Sequence, residues 1–479
     1  MLALFARPLL AQSECLPCHK LQVEAFAQTG MGRSVATAVN AMPPPATFRD
    51  TRSGALFSVE HRDGKVFHAV QRYGLTAEYP IAFAIGSGKV GYSFAVRVGD
   101  SLFESPISWF SQARRFDLSP GFGNDPNVDF DRRLTMGCLY CHTGQMRKVS
   151  DPPHSISCER CHATSGKHFA NPVKLAPPAR DIVCEQCHLL GESRVLRSGS
   201  SWNDADPSYT TYVASNVSAD LKVVSQVEQL ALSECARNSG GKLWCGTCHD
   251  PHGPQKDQRQ VCLSCHEGKI SATHAELTGC AGCHMPARPT PEVAHTVYTD
   301  HRIRIRPDGG VAANSAPGAL RAWREPPQKE RDRNLGLAYV DAGEQNRSAS
   351  LVQKGFSILV DLKERDADVL SALGSVLLQK QRPAEAAAMF AGAVRLEPAS
   401  ALRVSNLGVA LISAGDVQDG IAQLERVIEL DPLLEQAYVF LADTYARTGQ
   451  QELRKKVIER FLTAMPQNLK FHSEFRKMK

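Results

Sequence analysis

Seven copies of one five-residue pattern constrain this chain more than anything else in it. Cys-x-x-Cys-His stands at Cys15/Cys18/His19, Cys138/Cys141/His142, Cys158/Cys161/His162, Cys184/Cys187/His188, Cys245/Cys248/His249, Cys262/Cys265/His266 and Cys280/Cys283/His284. Together they use fourteen of the fifteen cysteines and leave Cys235 over. Random placement of 15 Cys and 16 His in 479 residues would give about 0.016 such patterns. Zinc would not require a His after every pair, and a thioredoxin-like pair would not recur seven times. Cysteines three apart on a helical turn share a face, and the next residue follows on it. Two thiols can then form thioethers with one porphyrin while the imidazole reaches its iron. The pattern reads as seven c-type haem attachment sites.

Six of the seven motifs crowd into residues 138–284, and 123 residues separate the first two motif starts. So short a stretch around six flat cofactors leaves little room for a side-chain core, so the porphyrins must supply much of the buried apolar surface. Without haem this part is expected to be largely unfolded. The formal charge is +5, with no long basic tract that would make nucleic acid a partner. Two propionates per haem and one positive charge per ferric centre bring the loaded protein to about −2. Arg302, Arg304 and Arg306 either neutralise propionates or form the polar face of an edge strand.

Seven irons need sixth ligands, and that need raises the standing of histidines outside the motifs. His154, His168, His252, His274, His295 and His301 number six for the six crowded haems, and His68 is available to the first. In Cys248-His249-Asp250-Pro251-His252 the proline turns the chain, so His252 is expected to serve a neighbouring haem rather than its own. Met31, in Thr-Gly-Met-Gly, competes with His68 for the first. The matching numbers favour two imidazoles on every iron, with none open to substrate.

The segments Ser157-Cys158-Glu159-Arg160-Cys161-His162, Cys245-Gly246-Thr247-Cys248-His249-Asp250-Pro251-His252 and Cys280-Ala281-Gly282-Cys283-His284-Met285-Pro286 resemble the multihaem cytochrome c family with doubled CxxCH motifs, related to the tetrahaem acceptors of hydroxylamine oxidoreductase. The resemblance implies electron transfer without identifying a donor or acceptor. Pentahaem nitrite reductases usually bind their catalytic haem through C-x-x-C-K, which is absent here. Hydroxylamine oxidoreductases carry eight haems and a cross-linked tyrosine with no identifiable counterpart in this chain. Both departures count against catalysis.

The remaining chain divides simply. Residues 1–14 read as the end of a secretory signal, consistent with a periplasmic or extracellular location, and no 18-residue apolar run spans a membrane. Residues 15–305 form the haem domain. Alternating runs broken by Asp63-Gly64 and Gly99-Asp100 predict a small antiparallel β insert over about 50–110, covering the first haem or separating it from the cluster. Residues 306–330 read as a linker. From 331 to 479, Leu373-Gly374, Leu407-Gly408 and Leu441-Ala442 recur every 34 residues, followed by Pro398, Pro432 and Pro466, the period of a tetratricopeptide repeat (TPR). Leu335-Gly336 opens a divergent earlier copy.

The expected fold is mainly α: a haem-organised domain with a small β insert, then a TPR α-solenoid. The leading expectation is an electron relay exchanging electrons with redox protein partners, with a protein or peptide in the TPR groove. The alternatives are an oxidoreductase with one open haem, a filament-forming cytochrome, or a homodimer built through the repeats. Cys235, with no pairing partner, is expected to be a buried free thiol, with an intermolecular disulfide as the alternative.

Overall fold

The computed structural model describes residues 15–37, 43–144, 146, 148–162, 164–165, 168–169, 171–204, 206–215, 221–267, 279–304 and 318–478. After helix α1 (Leu16–Phe26) come ten strands: β1 (Val35–Ala36), β2 (Ala46–Arg49), β3 (Leu56–Arg62), β4 (Lys65–Arg72), β5 (Leu75–Ile85), β6 (Gly91–Val98), β7 (Ser101–Glu104), β8 (Ile107–Phe110), β9 (Arg115–Leu118) and β10 (Arg133–Leu134). All pair antiparallel in one sheet, where β6 runs beside β5, then β8 and β7, and β9 comes round to β2. The small insert expected over about 50–110 is therefore a ten-stranded, nearly closed barrel over 35–134. Its edges escaped the sequence because β1, β2, β9 and β10 have two to four residues, too few to display alternation.

Local chemistry explains the hairpins. Asp63 and Gly64 both take positive φ, 50° and 69°, as the tight turn between β3 and β4 requires. Tyr73 and Gly74 repeat the device between β4 and β5. Gly91 admits β8 alongside β6, since a Cβ there would lie 2.3 Å from the Trp109 carbonyl oxygen. The interior is mainly apolar: Phe57, Val70, Phe94, Val96 and Ile107 are fully buried.

The haem region between barrel and repeats consists of short pieces. They are α2 (Met136–Leu139), β11 (Thr164–Ser165) paired with β12 (His168–Phe169), α3 (Pro177–His188), and β13 (Ser193–Leu196) with β14 (Tyr209–Ala214). Next come α4 (Gln226–Ala231), α5 (Glu234–Asn238), α6 (Cys245–Cys248), α7 (Gln258–His266) and α8 (Cys280–His284), then the paired strands β15 (Ala287–Pro289) and β16 (Val297–Thr299). Strand β17 (Leu320–Ala322) joins β14 in register, Tyr212 opposite Ala322. The segment expected as a linker thus contributes a strand to the haem region.

Nine helices complete the described chain: α9 (Arg331–Gln345), α10 (Ala349–Val360), α11 (Ala367–Gln379), α12 (Pro383–Leu396), α13 (Ala401–Ala414), α14 (Val417–Leu430), α15 (Glu435–Arg447), α16 (Gln451–Ala464) and α17 (Leu469–Lys477). The first eight form four antiparallel hairpins in a TPR array. The small residues of the repeat sit where paired helices touch: a Cβ on Gly336 would come 2.5 Å from Leu359, on Gly374 2.7 Å from Phe390 and on Gly408 2.9 Å from Leu424. Phe390 is 1% exposed against Gly374. Phe390→Ala should therefore destabilise the array by about 3–5 kcal/mol, read as a drop in the helical melting transition. A loss under about 1 kcal/mol would contradict this packing.

Both ends of the array are tied to the rest of the chain. At one end, the Tyr339 hydroxyl on α9 accepts from the Leu320 amide of the small sheet at 2.9 Å, and Arg333 donates to the Leu196 carbonyl at 2.8 Å. At the other, the Leu469 amide at the start of α17 donates to the Asp129 carboxylate of the barrel at 2.7 Å, and Arg133 on β10 pairs with Asp431. Barrel and repeats share one apolar core, in which Phe57, Phe130, Phe390 and Phe471 belong to the same cluster.

Candidate functional site

The motifs occupy different local structures. The fourth ends α3, the sixth ends α7 and the seventh makes up α8, so Cys, Cys and His share one helical face there. Cys15 is the N-cap of α1, and the helix kinks at His19 (φ −121°, ψ 38°). The third motif is a 3-10 turn over Cys158–Arg160. In that turn and in α6, α7 and α8 none of the described residues is buried. The cysteines are free of disulfides.

The fourteen candidate haem anchors are not equally enclosed. Cys18 and Cys265 are exposed, as are Cys138 and Cys283, while the other ten are half-buried. The reason is local. Helix α1, which carries Cys18, buries only Val23 and Phe26, on turns beyond the motif, and α7 and α8, which carry Cys265 and Cys283, bury no residue. The second cysteine of the first, sixth and seventh motifs is thus exposed among the described residues.

The segments nevertheless pack into one contiguous cluster. The first motif is not kept apart by the barrel, contrary to the expectation that the insert might separate it. Ser155 exchanges hydrogen bonds with the backbone of Val35 at 3.0 and 3.1 Å, Ile156 donates to Ser34 at 3.1 Å, and the Cys15 and Cys158 thiols adjoin. Arg160, inside the third motif, donates to the Tyr140 carbonyl of the second at 2.9 Å with its guanidinium 4.0 Å from the Tyr140 ring. The fourth motif touches three others. Gln186 donates to the Arg160 carbonyl at 2.7 Å, Cys141 faces the Gln186 carbonyl at 3.8 Å, and Arg180 reaches Gly241 and the Trp244 ring just before the fifth motif. Helices α6 and α7, and α7 and α8, pack in sequence. Arg324, from the segment before the repeats, holds Glu185 within the fourth motif through two hydrogen bonds of 2.6 and 2.7 Å.

Thiol electrostatics follow from this packing. Cys141, hydrogen-bonded with Cys187 and flanked by Arg194 and Arg160, is lowered to about 6 against the cost of its burial. Its partner Cys187 is raised, by that same hydrogen bond and then by burial. Cys158 is raised to about 11, chiefly by burial and then by Cys15.

Several imidazoles are oriented for metal ligation. The His284 ring meets the Arg304 carbonyl through Nδ1 at 2.6 Å, which turns Nε2 to the opposite side. His188 Nδ1 faces Gln226 Oε1 at 3.3 Å, and His301 Nδ1 faces the Thr299 carbonyl at 2.9 Å. His252 lies beside the third motif: its ring centre is 5.7 Å from that of His162, with planes 25° apart. The His301 ring centre is 6.2 Å from that of His249, with planes 23° apart. Two metal–nitrogen bonds of about 2 Å, plus roughly 1 Å from each nitrogen to its ring centre, separate an iron-bridging pair by about 6 Å. Free paired thiols, anchored rings and these separations fit covalent haem.

The other candidates lie elsewhere. His68 is fully buried in the barrel, 2.8 Å from Ser105 Oγ through Nδ1, between Phe94 and Phe116, and burial lowers it to about 3. Those neighbours make it a core histidine of the sheet rather than a group beside the first motif. His295 Nε2 is engaged by Asp117 of β9 at 2.8 Å, and its ring packs on Phe110, which draws it to the barrel. His154 lies in irregular chain just before the third motif, where its carbonyl accepts from Gly144 and its ring Nδ1 is buried without a partner among the described residues. Met31 is half-buried on the turn after α1. His168 stands in β12 with only its backbone described, and His274 and Arg306 lie outside the described residues. Arg302 is buried on Asp300 at 2.6 Å, so its charge is already compensated.

Sequence reasoning missed the residues that join the motifs. Arg160, Arg180 and Arg194, and the aromatic group of Tyr140, Trp202 and Tyr209 with ring centres 5.2–6.2 Å apart, gave no periodic or spacing signal. Only the positions of Tyr140 inside Cys-Leu-Tyr-Cys-His and of Arg160 inside Cys-Glu-Arg-Cys-His could have drawn notice.

Known proteins resemble separate parts of the chain. The family described as Doubled CXXCH motif matches residues 237–271, across the fifth and sixth motifs. The TPR repeat-containing thioredoxin TTL4 of Arabidopsis thaliana is 29% identical over 87 residues, 18% of this chain and 13% of that protein's length. Among solved structures, MamA is similar at 23% identity over 30% of this chain and 81% of its own, with a TM-score of 0.27. YrrB, titled a TPR protein with an unusual peptide-binding site, is similar at 18% identity over 30% and 84%, with a TM-score of 0.25. The chain combines a cytochrome-like region of CxxCH motifs with a TPR array. Among the described residues no helix is long and apolar enough to cross a membrane.

Proposed function

We propose that the chain is an exported electron carrier that binds seven c-type haems, one per motif, and docks a redox protein partner on its TPR array. Covalently bound haem supplies one-electron chemistry at iron. The chain's own residues do the holding: each cysteine pair anchors a porphyrin, and each motif histidine takes one face of the iron. His252, beside His162, and His301, beside His249, would supply the further imidazoles to hold two of the haems. Export follows from haem attachment to CxxCH outside the cytoplasm, and protein docking is what the TPR groove suits.

The observation that carries the reading is the gathering of motifs from distant parts of the chain, the first included, into one packed cluster. Unrelated thiol sites would have no reason to converge. The test begins with haem content of protein made in an export and haem-attachment host, where a pyridine haemochrome assay should give about seven haems per chain. His252→Gly and His301→Gly should each turn one low-spin haem high-spin, seen by electron paramagnetic resonance and cyanide binding. A count of three or fewer with all motifs intact would overturn the seven-site reading. An unchanged low-spin count in both variants would remove the assigned ligands.

A further inference from the structure

Between the TPR array and the haem region lies a cleft of about 310 Å³. Helices α9 and α11 form one wall, with Asp341, Glu344 and Asp368; the other is β13 with Trp202. All four residues of β13 line the cleft, odd and even alike, as when a strand presents an edge rather than a face. Among the described residues β13 pairs with β14 on one side and with no strand on the other.

The charges of the walls are unequally compensated. Asp368 is held by Arg333 and Arg403. Arg194 turns away to the Leu189 carbonyl and Cys141. Among the described residues, Asp341 and Glu344 receive neutral amides, from Gln345 and Gln379, both at 2.9 Å. A second, independent feature points to an occupant: Ser193 is 4% exposed, and its hydroxyl has no hydrogen-bond partner among the described residues. A buried hydroxyl left unpaired is costly, and a peptide backbone along the strand edge would satisfy it.

We propose that this cleft seats an extended, cationic segment of the partner protein, its backbone along the edge of β13 and its basic side chains on Asp341 and Glu344. The inference rests on the partner-docking reading and adds the chemistry of what is docked. It also places the contact. Trp202, in the cleft wall, packs on Tyr140 with ring centres 5.6 Å apart, and Tyr140 lies within the second motif. A segment bound here is one aromatic pair from Cys138, Cys141 and His142.

The test uses the full haem-loaded chain and short peptides of alternating Lys–Val, Glu–Val and Ser–Val, titrated by calorimetry. Lys–Val should bind at least about tenfold tighter than the other two. Asp341→Asn with Glu344→Gln should weaken it about tenfold, and Asp341→Lys with Glu344→Lys should move the preference to Glu–Val. Both variants alter surface groups, and unchanged thermal melting checks their fold. Lys–Val affinity indifferent to both variants would mean adhesion to haem propionates or another surface and would overturn the proposal. Equal binding of Ser–Val would leave partner docking standing and remove the cationic specificity. Binding of none of the three would count against both.

Discussion

Produced where no haem is attached, the chain should keep its barrel and TPR array folded and lose order in most of 136–304. The two parts bury apolar surface differently. Barrel and repeats share a core of fully buried Phe, Val, Leu and Ile, worth about 25 cal/mol per Å² removed from water. The third-motif turn and α6, α7 and α8 bury nothing, and α3 buries only Arg180 and Glu185. Apolar side chains there, Ile182, Leu190 and Leu232 among them, stand exposed, and a porphyrin face would cover such surface. The outward thiols of Cys18 and Cys265 belong to the same pattern. Limited proteolysis of haem-free protein should cut within 136–190 and 221–304. Hydrogen exchange should remain slow in β13, β14 and β17, because Val195, Tyr212 and Leu320 pack on Tyr339 and Leu351 of the repeats. Protease resistance across the motifs without haem would show that side chains alone hold them.

The attachment of α17 to the barrel should weaken as pH rises from about 5 to 8. Asp129 is buried at this junction and raised to about 7, first by desolvation, against hydrogen bonds from the Leu469 and Phe130 amides. Asp131 is likewise raised to about 7 by burial, then by Glu435, Asp129 and Asp125. The cations facing them are Arg72 and Lys470, and Lys470 is committed to Glu435 at 2.9 Å. A carboxyl raised on folding favours the protonated folded state, so its contribution is fully present below the ordinary value of 3.8 and lost as pH climbs through 7. For this coupled pair the swing is on the order of 2–4 kcal/mol. The melting temperature of the barrel and array should be higher at pH 5 than at pH 8. Asp129→Asn keeps an acceptor for Leu469 without the charge and should flatten that slope. A melting temperature that climbs with pH, or an unaltered slope in the variant, would contradict the assignment.

What could be read from sequence was what has a fixed spacing. A thioether site needs two Cys and a His within five residues, and a TPR needs small residues every 34, so both stood out; the doubled-motif family matches the fifth and sixth motifs. The spacing did not say which thiols the fold would enclose: Cys15 and Cys18 belong to one motif, yet the first is half-buried and the second exposed. The barrel stayed hidden, because its closing strands are too short for alternation and their partners are remote: β1 at Val35 pairs with Ile85, and β10 at Arg133 pairs with Phe103. Histidine counting supplied candidates but no positions. His68 and His252 both count as candidates, yet one is enclosed by Phe94 and Phe116 and the other stands beside His162. Only the tertiary path of the chain separates an imidazole enclosed in a core from one that lies beside a motif histidine.

The two-ended attachment of the TPR array bears on its mechanics. A solenoid free at one end behaves as a spring, its curvature set by small rotations between repeats. Here α9 is pinned to the haem region by Arg333 and Tyr339, and α17 to the barrel by Asp129. The array is a brace of set length between two bodies that are themselves joined through 134–136, so chain and contacts close a ring. Its inner curve is held before any partner arrives, and a partner loses less ordering entropy in occupying it. Adding or deleting one 34-residue repeat would change the length of the brace and force the ring to give at one of its two joints.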